Sequence, residues 1–369
     1  LVDAVKKKVP LFAPNQKSSY SNVAFELLGL VIQRVTNKTY SDYITDAIFK
    51  PLDMTKSTLE TPPDSAGVIP LYPHYWDVDE GAQRPTGGIY SSSNDLSKFL
   101  RYVLTHYNGI THALNWAHPV SPSEGLRSFY GMPWEIFRTD KILLNSQRVV
   151  RFITKGGGLP GYSSIIITVP EYDLGITILV AGSTKLLRKI QEIVTLNIVR
   201  SAEAIAIRQL HERYAGTYVA SDPGLNTSIT LVADHRGLVA TEFISNSTDM
   251  TTTPIFRFMG APEDGQDWYI QMVPTLLYAN ETAQSGEKWR MLVARVHDEG
   301  YHGIWDDFCL ANIDLSAYAE EAINEFVFWK GEGEAFDRVD LPAFRAKLVR
   351  KEEEEGTAEG FRPEEQQEL

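Results

Sequence analysis

Lys155-Gly156-Gly157-Gly158-Leu159-Pro160-Gly161-Tyr162-Ser163, taken together with Tyr20-Ser21-Asn22 far upstream, is the sequence on which the fold turns. The glycine-rich stretch lies between two apolar runs, residues 148–154 and 163–169, and a third run, 174–181, follows. Runs of this kind predict adjacent strands, with turns at 156–161 and 170–173. Tyr20-Ser21-Asn22 heads a different pattern, in which Val23, Ala24, Leu27, Leu28, Val31, Ile32 and Val35 recur at three- and four-residue spacing. That period predicts a helix with one apolar face. Asn22 is its expected N-cap, Glu26 lies near the positive end of the dipole, and Asn37 suits the exit.

Outward from these two points the first 200 residues read as mixed α and β. A second helix is expected over 40–49, ending before Pro51, and a third from about Asn94 to Tyr107 with Leu96, Phe99, Leu100 and Val103 facing inward. Residues 62–85 are rich in Pro, Tyr, Trp and Asp and read as a long surface loop. In it Tyr72, Tyr75 and Trp76 either line a cleft or pin the loop. A helix over 184–209 closes the first domain. From Tyr214 the texture changes to short strand-like runs, 217–219, 228–232, 238–244, 268–272, 289–296 and 326–329. Many short strands between Gly, Asp and Asn turns predict an antiparallel barrel or sandwich, with 342–350 as a closing helix. The expected division is 1–205, 206–350 and an acidic disordered tail, 351–369.

A chain of 369 residues is long enough for two domains, and 43% apolar with 11% aromatic residues is ample for packed cores. The net charge of −13 draws heavily on Glu352-Glu353-Glu354-Glu355 and Glu364-Glu365-Gln366-Gln367-Glu368, a solvated end. This acidic balance argues against a nucleic-acid partner. No apolar run reaches the roughly 18–20 residues of a membrane span. The longest candidate, 165–180, is broken by Pro170, Glu171 and Asp173. There is no initiator Met and no signal peptide, so the N-terminus reads as cut. Asn37-Lys38-Thr39, Asn226-Thr227-Ser228, Asn246-Ser247-Thr248 and Asn280-Glu281-Thr282 fit the N-glycosylation acceptor and point to an extracellular, secreted protein. The single Cys309 supplies no disulfide framework within the chain. His297-Asp298-Glu299, His302, Asp306 and Asp307 read as a charged hairpin turn rather than a metal site, and no metal or cofactor is expected.

Tyr20-Ser21-Asn22 and Lys155-Gly156-Gly157-Gly158, in that order, resemble the second and third motifs of the serine β-lactamase and penicillin-binding protein superfamily. Phe49-Lys50-Pro51-Leu52-Asp53-Met54, Gly87-Gly88-Ile89-Tyr90-Ser91-Ser92 with Asp95-Leu96, and Gly158-Leu159-Pro160-Gly161-Tyr162-Ser163 resemble further segments of the family. The likeness covers residues 14–200 and is to the class C β-lactamase, D-aminopeptidase and esterase branch. Tyr214-Ala215-Gly216-Thr217-Tyr218 and Ile244-Ser245-Asn246-Ser247-Thr248-Asp249 are similar to the C-terminal barrel of secreted fungal members. The resemblance implies an α+β fold: a β-lactamase/transpeptidase-like domain, N-terminally truncated, followed by an antiparallel, lipocalin-like β-barrel.

It also implies roles. A serine hydroxyl is a poor nucleophile at neutral pH and needs a neighbouring base. Tyr20 would relay protons to the leaving group, with Lys155 as the cation that makes its phenol useful. Asn22 would orient the substrate, and the Gly158 N–H would form half of an oxyanion hole. Gly156, Gly157 and Gly158 would let the strand edge approach the substrate closely. The family's Ser-x-x-Lys occurs only as Ser285-Gly286-Glu287-Lys288, downstream and in a polar turn, where a buried helix is required. Gly156 replaces the hydroxyl residue of Lys-Thr-Gly, which favours a neutral ester or amide over a lactam. The expected function is a serine hydrolase acting through an acyl-enzyme, silent as given because the nucleophile is missing. A non-catalytic ligand- or partner-binding module and an acyltransferase for a small metabolite are the alternatives. The expected partners are a small ester or amide and, as a separate chain, the missing N-terminal segment.

Overall fold

The computed structural model describes the chain except for residues 15, 17, 72, 107–116, 260, 262–266, 297–316 and 352–369. Tyr72, Cys309, the His297–Asp307 group and the acidic tail therefore lie outside the described residues. The chain divides into two compact units, Leu1–Arg200 and Ser201–Leu369. No helix of the described residues is long and apolar enough to cross a membrane.

The first unit is built on a six-stranded antiparallel meander in the order β1-β2-β3-β4-β5-β6. Its strands are β1 (Ser121–Pro122), β2 (Ser128–Tyr130), β3 (Glu135–Thr139), β4 (Val150–Leu159), β5 (Tyr162–Val169) and β6 (Leu174–Ala181). The expected turn at 156–161 is not there. Gly156, Gly157 and Gly158 continue β4, paired with Ile165, Ser164 and Ser163. Pairing with β5 gives the strand backbone its partners, which a six-residue loop would leave to solvent. Only Pro160-Gly161 turns, and Gly161 takes φ +84°, a conformation that glycine adopts without strain.

Helices α1 (Val2–Lys6), α2 (Asn22–Thr36), α3 (Tyr40–Ile44), α4 (Arg84–Gly87), α5 (Ser93–Thr105) and α6 (Lys185–Tyr214) complete this part of the chain. The N-cap of α2 is Ser21, not Asn22: the Ser21 hydroxyl accepts the Ala24 N–H at 3.2 Å. Asn37 does end the helix in the left-handed region, at φ 55°. The apolar face of the sequence pattern is not the covered one. Leu28, Val31 and Val35 are 53%, 55% and 78% exposed, whereas Glu26 and Gly29 are the buried residues of α2. Glu26 lies beyond the first turn, which holds no acidic residue. Gly29 turns inward because Pro85 lies against it, so close that a Cβ there would sit 2.3 Å from the proline ring.

α3 passes into a wider π turn over Thr45–Phe49, as the 40–49 helix requires in extent. α5 buries Leu100 and Val103 against the sheet face that carries Ile136 and Ile153. The opposite face, with Phe152, Ile165, Ile167 and Ile178, packs with Val199 of α6. The 62–85 segment holds only short 3-10 turns, Asp64–Ala66 and Gly81–Gln83, before α4 begins at Arg84. Trp76 is buried and pins it. Its indole N–H donates to Asp64 at 3.0 Å, and the Tyr90 hydroxyl donates to its carbonyl at 2.5 Å.

In the second unit eight strands close on themselves in the order β9-β11-β12-β15-β16-β17-β7-β8, with β8 pairing back to β9. These are β7 (Gly216–Ala220), β8 (Ser228–Asp234), β9 (Gly237–Ser245), β11 (Trp268–Asn280), β12 (Ser285–Arg295), β15 (Glu325–Lys330), β16 (Phe336–Leu341) and β17 (Ala346–Arg350). β10 (Thr248–Asp249) folds back antiparallel on the end of β9, and β13 (Ala317–Tyr318) pairs with β14 (Glu321–Ala322). The closing helix expected over 342–350 is instead a turn and the strand β17. Ala346 and Leu348 are buried while Lys347 and Val349 are exposed, an alternation of period two that only a strand produces. Side chains fill the barrel: Tyr218, Phe243, Phe326, Phe328, Val339, Leu341 and Leu348 are wholly buried. Tyr214 stacks on Phe336 with ring centroids 4.5 Å apart.

Candidate active site

Three parts of the first unit build the site: the residues entering α2, the open end of β4, and the first residue of β3. Tyr20 precedes the Ser21 cap and is 53% exposed. Asn22 is the first residue of α2, and its backbone carbonyl accepts the Thr86 hydroxyl of α4 at 3.0 Å. That bond ties the entry of α2 to the Gly87-Gly88 segment. Lys155 lies on β4, and its ammonium sits over the Tyr20 ring, 5.2 Å from the centroid. Residues 20 and 155 of the sequence are thus neighbours, and the arrangement is a cation–π contact.

The Lys155 ammonium has further partners. It donates to the Glu135 carboxylate at 2.9 Å and to the Gly156 carbonyl at 2.8 Å. The other Glu135 oxygen accepts the Gly156 N–H at 3.1 Å. Sequence reasoning missed Glu135, because no motif contains it and its partner lies in another strand. The one available signal was the pairing of two neighbouring strands, whose register sets Glu135 against Thr154.

That register also opens an edge. β3 pairs with β4 from Val150 to Thr154 and begins at Glu135, so it does not run alongside Gly156–Gly158. Strand N–H groups alternate in direction. Since the Gly156 N–H points to the β3 side, the Gly158 N–H two residues on faces the same open edge. A Cβ at Gly158 would meet nothing within 4 Å, so the sheet face at this residue is uncovered. A Cβ at Gly157 would lie 2.5 Å from the Ser164 hydroxyl, which would have to turn aside to admit it. The 62–85 loop borders the turn beyond, with the Tyr75 N–H donating to the Pro160 carbonyl at 3.0 Å.

Ser285 is not near a helix start. It opens β12 opposite Asn280, and Lys288 pairs with Glu325 at 3.3 Å. The strand placement replaces the expected turn and leaves the serine and lysine of this Ser-x-x-Lys on a barrel strand. Successive turns of a helix, which would bring them together, are absent there. Asn37, Asn226, Asn246 and Asn280 are all exposed.

A beta-lactamase family profile matches residues 1–193, and a second family, described as the C-terminal domain of beta-lactamase-like proteins, matches residues 206–352. A probable hydrolase of Cochliobolus lunatus, clz13, is 33% identical over 343 residues, covering 89% of this chain and 54% of that protein. A beta-lactamase-like protein of Arthroderma benhamiae is 27% identical over 253 residues, covering 67% of this chain and 42% of the other. The chain spans about half the length of the curated relatives it matches. Among solved structures, a class C beta lactamase from Rhodobacter sphaeroides is similar at 18% identity and a TM-score of 0.42, over 53% of this chain and 64% of that one. By the profile over its first 193 residues, with the matching C-terminal barrel domain after it, the chain belongs to the beta-lactamase family.

Proposed function

We propose that residues 1–200 carry the proton-transfer and substrate-positioning half of an acyl-transfer site, in a serine hydrolase that works through an acyl-enzyme on a neutral ester or amide. The observation that carries this reading is the Tyr20–Lys155 contact beside the open edge at Gly158. In the reaction the Gly158 N–H donates to the developing oxyanion, and the Asn22 amide orients the acyl group. The Tyr20 hydroxyl passes the proton between nucleophile and leaving group. The nucleophile belongs to a Ser-x-x-Lys helix that residues 1–369 do not contain, so the chain alone is catalytically silent.

Two measurements test this. With a chromogenic ester and with a cephalosporin, the chain alone is expected to show no turnover; turnover that Ser285→Ala abolishes would overturn the proposal. Binding of N-acetyl-phenylalanine methyl ester is expected to weaken roughly 10-fold on Tyr20→Ala, by loss of an aromatic wall and a hydroxyl. Unchanged binding would remove Tyr20 from the site. The exposure of Asn37, Asn226, Asn246 and Asn280 supports a secreted glycoprotein. Expression through a eukaryotic secretory pathway, followed by enzymatic removal of N-glycans, is expected to lower the mass; an unchanged mass argues against it.

A further inference from the structure

We infer that Glu135 is a specificity-determining residue of this site: by neutralising Lys155 it makes the edge at Gly156–Gly158 select an uncharged acyl group over a carboxylate. The inference rests on the cleft proposed above.

The geometry is specific. One Glu135 oxygen accepts from the Lys155 ammonium at 2.9 Å, and the other accepts from the Gly156 N–H at 3.1 Å. The carboxylate is therefore held from two directions, by a side chain and by the strand backbone, and is not a loose surface ion pair. Side-chain exposures of 29% for Lys155 and 36% for Glu135 show that both are partly withdrawn from water.

An ammonium has three N–H donors. One of them serves Glu135, and one serves the Gly156 carbonyl at 2.8 Å. What remains lies beside the Tyr20 ring, 5.2 Å from its centroid. A substrate carboxylate arriving at Lys155 would meet a cation already neutralised, with a second carboxylate beside it. Like charges at such a distance repel, and partial burial weakens the screening that would relieve them.

The neighbouring position reinforces this. Residue 156 is glycine and offers no hydroxyl to a carboxylate. Space is not the cause, because a Cβ at 156 would lie 3.6 Å from the nearer Glu135 oxygen, an ordinary contact. Both features that would greet an anion, a free cation and a hydroxyl, are thus missing from the edge. A neutral ester or amide needs neither. It asks only for N–H donors along the strand and an apolar or aromatic wall, and Tyr20 supplies the wall.

The test is a calorimetric titration of the chain with N-acetyl-phenylalanine and, separately, with its methyl ester. The ester is expected to bind about 10-fold more tightly than the carboxylate, as expected for a desolvated anion facing a like charge. This first comparison needs no variant. Glu135→Gln frees Lys155 while keeping an acceptor for the Gly156 N–H. It is expected to raise carboxylate affinity about 10-fold and to leave ester affinity within about twofold. Adding Lys155→Met to Glu135→Gln is expected to abolish the gain, which a merely structural role for Glu135 would not do. If the carboxylate binds the unaltered chain as well as the ester does, or if Glu135→Gln leaves their ratio unchanged, the inference is overturned and the cleft stands. If neither ligand binds any form of the chain, the cleft reading fails and takes the inference with it.

Discussion

Tyr218 shows how one buried hydroxyl ties the barrel to pH. Its side chain is wholly buried, and its hydroxyl lies within hydrogen-bond distance of the Tyr214 carbonyl at 2.8 Å and the Phe336 carbonyl at 3.0 Å. Burial pushes the phenol up to about 12. Tyr214 is displaced the same way, by burial first and then by Glu287, whose carboxylate accepts its hydroxyl at 2.6 Å. A group whose folded pKa is raised stabilises the fold below its unfolded value, and the contribution fades as pH climbs toward the folded one. For these phenols the stabilisation is complete below pH about 10. The Tyr218 share is lost as pH rises to about 12, where the second unit is expected to unfold cooperatively by near-UV circular dichroism. Tyr218→Phe removes the one proton that these two buried carbonyls share and is expected to cost about 1–3 kcal/mol in urea unfolding of that unit. At the opposite extreme, Tyr20 is 53% exposed. Tyr20→Phe is expected to leave stability within about 0.5 kcal/mol, so any effect on ligand binding reads as a site effect. Tyr20, Asn22 and Lys155 could be named as candidates from the sequence because a motif keeps chemistry and local backbone together. Glu135 could not, since its meaning comes only from the strand laid beside β4.

Among the elements, α2 departs furthest from its sequence pattern. The three- and four-residue period correctly marked a helix and its apolar stripe. It said nothing of which side the rest of the unit would cover, and the covered side is the one with Gly29. Gly29→Ala places a methyl group 2.3 Å from the Pro85 ring. Overpacking of that kind is expected to cost about 1–3 kcal/mol, measured by chemical denaturation of the first unit. An unchanged midpoint would show that α4 yields freely. Among the described residues of the 62–85 segment the buried side chain is Trp76. Trp76 is 8% exposed and bonded at both its indole and its carbonyl. Trp76→Ala is expected to cost about 3–5 kcal/mol and to open the loop to limited proteolysis. Cleavage no faster than in the unaltered chain would show that the other bonds suffice. β17 and the glycines of β4 make the complementary point. Both were assigned by composition to something other than strand, and both are strands because a neighbouring strand supplies their hydrogen-bond partners.

For the molecule, the balance of surface differs between the two units. Among the described residues the barrel closes its sheet, and aromatic and aliphatic side chains pack its interior. The first unit leaves Val23, Leu28, Val31 and Val35 of α2 exposed, with Ile193 of α6 exposed as well. Apolar residues grouped on a helix surface favour association. The chain is expected to show concentration-dependent light scattering and binding of a hydrophobic dye. Leu28→Glu combined with Val31→Lys is expected to reduce both while shifting stability by no more than about 0.5 kcal/mol per site. Scattering unchanged by those substitutions would place the association elsewhere.

From the sequence alone came the family, the order of a mixed α and β region before an all-β one, and Tyr20, Asn22 and Lys155 as candidate site residues. These are properties of short segments, where residue type, period and motif spacing act over a few neighbours along the chain. The tertiary structure decided the rest: that Lys155 lies over Tyr20, that Glu135 holds its charge, that Gly156–Gly158 extend a strand past the reach of β3, and that α2 turns its glycine inward. Each of these depends on register and close approach between segments far apart in sequence, and such contacts leave no periodic trace in the chain itself.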